Sequence, residues 1–448
     1  MTFALRSRQV VLPDRVSPAT LVVDGGRITR IADEAPSGIE LHDVGDRLIL
    51  PALTDTHVHV NEPGRTEWEG FETATRAAAV GGVTMIVDMP LNSDPVTTSL
   101  AAFEAKLAAS RGKLWVDCGF WGGVVPGNAD ELAPMAKAGV LGFKCFTCFS
   151  GIDEFPASTE ADLLVAMPIL RDAGVPLLVH AELESDLINP FVDASPRAYA
   201  RYLHSRPPEW EDAAVAMVAR LVEQTGCPAH IVHLSSAGAL DTVRRAKARG
   251  LPLTAETCPH YLGLAADEVP DGATEFKCAP PIRDRDNQNR LWAALVDGTL
   301  DFVVTDHSPC IPALKRFETG DFGDAWGGIA SLQLGLRSVW TEARRRGVPL
   351  ETVVRWMSRG PAAFLGRGDR GVLREGAVAD LVVFEAEVDE VLRAETLLHR
   401  HPTSPWVGRR LAGRVCETWM RGQKIAEAGA VCGGAQGQPV CGANHGGH

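Results

Sequence analysis

The chain has 448 residues, 45% of them hydrophobic and 23% charged, with a formal net charge of −13 at neutral pH. That length can bury a large core, and the acidic balance argues against a nucleic-acid or anionic-membrane partner, both of which favour basic patches. No stretch reaches the roughly 18 uninterrupted apolar residues of a membrane span. The N-terminus, Met1-Thr2-Phe3-Ala4-Leu5-Arg6-Ser7-Arg8, lacks the apolar segment of a secretory signal. The ten cysteines are scattered without a framework spacing, which fits free thiols in a reducing cytoplasm.

Residues 1–50 read as short strands and turns, with Asp24-Gly25-Gly26 between two apolar runs as a hairpin signal. From Leu48 onward, apolar strands alternate with amphipathic helices. The strand ending near His57 is followed by candidates at Val83–Met89, Leu114–Phe120, Val140–Phe146, Pro176–Ala181, His230–Leu234, Leu251–Glu256 and Phe302–Thr305. Glu209–Thr225 shows one apolar face, with Gly226 placed as its C-cap. Eight βα units in series predict an α/β fold, a (β/α)8 TIM barrel over 51–366. Residues 367–428 return to strand patterns, so a small β-sandwich-like domain built from both termini, 1–50 plus 367–428, is expected. Residues 429–448 are Gly-rich and poor in apolar bulk and read as a flexible tail.

In such a barrel, chemistry sits at the C-terminal strand ends. His57 and His59 lie two apart at the first end and so project from one face. Lys144 interrupts the fourth strand, His180 ends the fifth, His233 the sixth, and Asp306 the eighth. Each has a bland reading alone: a core histidine, a snorkelling lysine, a helix-capping aspartate. Four histidines, a lysine and an aspartate at five strand ends are hard to place without a metal centre. Imidazole and carboxylate suit zinc-like ions. Two such cations need a bridging anion, and strand four offers no carboxylate. A lysine beside cations has its ammonium form disfavoured, and its neutral amine can add carbon dioxide to become a two-oxygen carbamate. Cys145-Phe146-Thr147-Cys148 matches C-x-x-C but lacks the strand-to-helix context of a redox site.

The pattern resembles the amidohydrolase superfamily, in its cyclic-amidohydrolase branch of dihydroorotases, hydantoinases and allantoinases, over about residues 1 to 428. The longer strings are similar to the allantoinase group: Asn61-Glu62-Pro63-Gly64-Arg65, Asp88-Met89-Pro90-Leu91-Asn92-Ser93, Gly142-Phe143-Lys144-Cys145-Phe146 and Asp306-His307-Ser308-Pro309-Cys310. The resemblance implies that His57, His59, Lys144 as N6-carboxylysine, His180, His233 and Asp306 hold two divalent ions, zinc first, with cobalt or manganese as alternatives. It further implies a small-molecule cyclic-amide substrate and a homo-oligomer, a tetramer in this branch. Dihydroorotase-like chains carry arginine where this one has Asn61, which cannot make a bidentate contact with a substrate carboxylate. An uncharged ring with a ureido group, as in allantoin, is therefore expected over dihydroorotate, with hydantoinase or dihydropyrimidinase activity as the alternative. Asp306 is the expected catalytic acid–base. Asn61, Asn92, Ser308 and Ala279 are expected to hold the substrate, and Glu318 to Gly328 to form part of a loop over the site. Thr147-Cys148-Phe149 departs from the family's usual string, which touches loop packing rather than chemistry.

Overall fold

The computed structural model describes residues 2–185 and 195–442. Five strands open the chain: β1 (Phe3–Val11), β2 (Val16–Asp24), β3 (Arg27–Ala32), β4 (Glu40–Asp43) and β5 (Leu48–Pro51). Asp24 pairs with Arg27 across a turn in which Gly25 and Gly26 have φ of 56° and 77°. Both angles are left-handed, as a two-residue hairpin of this hand requires and as glycine permits without a Cβ clash.

The barrel strands follow as β6 (Leu53–Val58), β7 (Val83–Asp88), β8 (Asp117–Phe120) continued by β9 (Gly122–Gly123), β10 (Phe143–Phe146), β11 (Leu177–His180), β12 (Ala229–Ile231), β13 (Leu253–Thr257) and β14 (Phe302–Val303). Every residue in them except Thr254 is buried. That is why they read as continuous apolar runs rather than alternating ones. Pairing is parallel throughout. The ring closes where the His59 N–H donates to the His307 carbonyl at 2.8 Å. Asp55 staples the same seam, accepting from the Thr305 hydroxyl at 2.6 Å and from the His57 N–H at 3.1 Å. The helix expected from Glu209 runs Pro208–Thr225, buries Ala214, Val218, Leu221 and Val222, and stops at Gly226, where φ is 71°.

After the barrel come β15 (Leu381–Val391), β16 (Arg410–Met420), β17 (Gln423–Glu427) and β18 (Ala430–Val431). They join β1–β5 in one continuous nine-stranded sheet, with β15 antiparallel to β5 at the junction. Its own core includes Phe3, Leu5, Val10, Leu21, Val23, Ile49, Leu381 and Val383. No helix among the described residues is long and apolar enough to cross a membrane.

The expectation of a flexible tail from residue 429 is corrected over its described part. β19 (Pro439–Val440) pairs parallel with Cys118 and Gly119 of β8. The Gly437 N–H donates to the Leu114 carbonyl at 2.8 Å, and the Gly442 N–H to the Gly139 carbonyl at 2.9 Å. β10 pairs only with β9 on this side, so β8 has a free edge that the C-terminal segment takes. A Cβ at Gly437 would lie 2.0 Å from the Val116 carbonyl oxygen, so close approach requires the glycine. Main-chain pairing needs little apolar bulk, and composition was therefore silent about it. His445 and His448 lie outside the described residues.

Candidate active site

β6, β10, β11, β12 and β14 deliver the six expected side chains to one place. His57, His59, Lys144, His180, His233 and Asp306 are all buried, none more than 6% exposed. His57 Nε2 and His59 Nε2 lie 3.2 and 3.7 Å from Asp306 Oδ1, and His180 Nδ1 lies 2.9 Å from His233 Nε2. The His57 and His233 ring centroids are 5.2 Å apart, so the two groups form one cluster. Asn61, Asn92, His233 and Asp306 have φ of 66°, 65°, 39° and 46°. Left-handed backbone in non-glycine residues is costly and concentrates at functional sites.

Two glutamates that sequence reasoning passed over set the imidazoles. Glu256, at the end of β13, accepts from His57 Nδ1 at 2.6 Å and from His230 Nε2 at 3.0 Å. Glu182 accepts from His180 Nε2 at 2.7 Å and is itself held by Arg206 at 2.6 and 3.1 Å. Each fixes a tautomer, leaving His57 Nε2 and His180 Nδ1 with lone pairs turned toward the centre. The available signal was a carboxylate inside an otherwise apolar strand end, beside histidines of its own or the next strand. Replacing Glu256 with Gln is expected to weaken metal affinity by about 10- to 100-fold. Competition against a chelator reads this, and an unchanged affinity would remove Glu256 from that role.

The electrostatics favour neutral ligands. Burial, with Lys144 adding to it, pushes His57 down to about 4, and burial takes His180 to about 4. His59 and His233 fall well below the usual histidine range for the same reason. Burial raises the Glu256 carboxyl, but hydrogen bonds from His230 and His57 outweigh it and hold the group at about 2. Burial pushes Asp306 up and Lys144 down, each to about 8. His57 Nε2, His59 Nδ1 and His233 Nδ1 are buried without a hydrogen-bond partner among the described residues. Buried nitrogens are rarely left so. His57, His59 and Asp306 each offer a ligand atom within 4.8 Å of the others. The donor set thus fits divalent cations of the zinc type.

A cavity of about 390 Å³ opens onto the cluster, lined by His59, Lys144, His180, His233 and Asp306 together with Asn92, Ala279, Ser308 and Gly323 to Gly328. The size suits a small organic ligand. Asn92 Oδ1 has no partner among the described residues, and the Ser308 hydroxyl donates to Asp306 Oδ1 at 2.8 Å. Asn61 departs from its expected place. It does not line the cavity, and its Nδ2 instead donates to the Pro309 carbonyl at 3.2 Å, bracing the loop after β14. Cys145 and Cys148 are free thiols that burial pushes up to about 12, far from redox poise. The Thr147 hydroxyl donates to the Glu182 carbonyl at 2.8 Å, so the unusual loop is locked to β11's end. His260 is fully buried with both ring nitrogens unpartnered among the described residues, beside Cys258 and Asp306.

A metal-assembling barrel with this strand-end set is the architecture of amidohydrolases, and the chain belongs to the amidohydrolase family, whose model matches residues 48–425. It is 47% identical over 428 residues to an allantoinase of Streptomyces avermitilis, covering 95% of each chain. It is 41% identical over 456 residues to an allantoinase of Arabidopsis thaliana, covering 96% of this chain and 90% of that one. A mitochondrial allantoinase of Aquarana catesbeiana is 48% identical over 367 residues, with 81% and 76% covered. Among solved structures, the L-hydantoinase (dihydropyrimidinase) of Arthrobacter aurescens superposes with a TM-score of 0.92 at 29% identity, over 98% of this chain and all 100% of the other.

Proposed function

We propose that the chain is an allantoinase, hydrolysing the hydantoin ring amide of allantoin to allantoate in purine (ureide) breakdown. The observation that carries this is one buried cluster of all six donor side chains, five of them lining a single cavity, in a chain similar along 95% of its length to a bacterial allantoinase. His57, His59, His180, His233, Asp306 and carboxylated Lys144 would hold two divalent ions, zinc by donor type. Bound there, such ions supply Lewis-acid polarisation of the ring carbonyl and a water acidic enough to attack near neutral pH.

The chain's own residues do the rest. Lys144, its ammonium disfavoured by burial, adds carbon dioxide as the neutral amine and releases a proton, giving the carbamate. Asp306 takes a proton from the attacking water and delivers it to the ring nitrogen as the C–N bond breaks. The Ser308 hydroxyl steadies that carboxylate. Asn92 and the main chain at Ala279 offer hydrogen-bonding groups to the ring and the ureido arm. Asn61 acts at one remove, through Pro309. Ten free cysteines support a reducing, cytoplasmic setting.

A hydantoinase reading is favoured by structural neighbours such as the L-hydantoinase. A panel separates the two: the zinc-loaded protein assayed with allantoin, hydantoin, dihydrouracil and dihydroorotate. We expect kcat/KM for allantoin to exceed the others by at least about 100-fold. Preference for hydantoin or dihydrouracil would overturn the assignment in favour of the neighbour's activity.

A further inference from the structure

One wall of the cavity is made of the glycine-rich stretch Gly323-Asp324-Ala325-Trp326-Gly327-Gly328. It presents few side chains that could hold it in place. Two lysines hold it instead. Lys277 Nζ donates to the carbonyls of Gly323 at 3.1 Å and Ala325 at 2.6 Å. Lys315 Nζ donates to the carbonyl of Trp326 at 3.1 Å and to that of Gly328. The bonds fall on four carbonyls within six residues, from two separate segments of chain. Main-chain bonds complete the frame: the Gly328 N–H donates to the Lys277 carbonyl at 2.8 Å and the Trp326 N–H to the Leu314 carbonyl at 2.8 Å.

The two lysine residues are only 9% and 6% exposed. Among the described residues, their hydrogen bonds go to carbonyls and none to a carboxylate. Burying a cation without an anionic partner is costly, and two neighbouring ones repel. A methionine would fill either stem's space without that cost, so packing does not explain the charges. Lys277 also sits 4.9 Å above the Tyr202 ring and lines the cavity itself. Burial first, then the Lys315 charge, lower its amine to about 8.

We propose that Lys277 and Lys315 form a clamp that fixes the 323–328 main chain as a preformed wall of the substrate pocket, with Lys277 as the positioning residue on the substrate side. The wall lines the same cavity as His59, Lys144, His180, His233 and Asp306. The catalytic relevance, though not the clamp itself, rests on the proposed ring hydrolysis. A wall held in register spares the substrate the ordering of six loop residues, and small misplacements near a reacting group cost about 100-fold in rate.

The test is Lys277→Met in the zinc-loaded protein, with three readouts: amide hydrogen exchange of 323–328, metal content, and steady-state kinetics on allantoin. Exchange in that segment should quicken by at least about tenfold while β6 and β11 keep their protection and two metals remain bound. The specificity constant should fall by about 30- to 100-fold. Unchanged exchange overturns the clamp, and faster exchange with kinetics within about threefold of wild type overturns its positioning role. If the methionine variant does not fold, Lys277→Gln, which keeps N–H donors on a shorter, uncharged arm, replaces it. Its exchange must lie above wild type for the proposal to stand. Should wild-type protein fail to open allantoin, that defeats the substrate reading, and exchange still decides the clamp.

Discussion

Replacing Lys144 with Ala is expected to cost the protein its paired metals and at least about four orders of magnitude in turnover. The reason lies in the anion count. Around the cluster, the histidines are neutral and Asp306 is the one carboxylate among the six. Two divalent ions held only by these would repel each other with little to offset it. Lys144 is 1% exposed, between β9 and β11, and no acidic side chain enters from β10. A carbamate on its nitrogen would supply the missing charge, and alanine would remove it while leaving space. Metal analysis should show the loss. Millimolar propionate or acetate, filling that space with two oxygens, should restore part of both metal and activity. A Lys144→Ala protein carrying two equivalents of zinc and wild-type turnover without any added acid would rule the carbamate out.

Asp306→Asn is expected to cut kcat by about 10³ while changing KM only a few-fold. The substitution keeps the size of the side chain and an oxygen for the Ser308 hydroxyl. What it removes is a group able to accept a proton and return it during the reaction. Because the same side chain lies 3.2 Å from His57 Nε2, metal content has to be measured alongside. Activity is then expressed per fully loaded site. A variant keeping most of its turnover per loaded site would transfer the proton-moving role elsewhere, with His260, buried and unpartnered beside Asp306, as the candidate.

The strand ends were legible because a barrel puts function at one end of every strand, and a short apolar run that stops at a polar residue locates those ends. Asp24-Gly25-Gly26 was legible because a two-residue turn of that hand admits few residue types. The tautomer-setting glutamates were not. Glu256 reaches His57 across 199 positions, and its place at an apolar strand end marks a role without naming that partner. Asn61 was read from what it lacks, a positive charge, which says nothing of the direction its amide takes toward Pro309. β19 escaped because its stability lies in main-chain hydrogen bonds and a close glycine contact, neither of which changes composition. The lysine clamp is a similar case: its acceptors are carbonyls, which every residue has.

The pairing of Pro439–Val440 with Cys118–Gly119, together with β15 against β5, has a consequence for how the molecule is made. During synthesis at about 5–20 residues per second, β5 and the free edge of β8 emerge long before either partner exists. The half-built barrel waits with open sheet edges, which are templates for mispairing. Completion therefore waits until Pro439 and Val440 are free to pair with β8. Until then the nascent chain has its metal-binding strands but an unsealed wall, a state that a chaperone would recognise and a metal ion could enter.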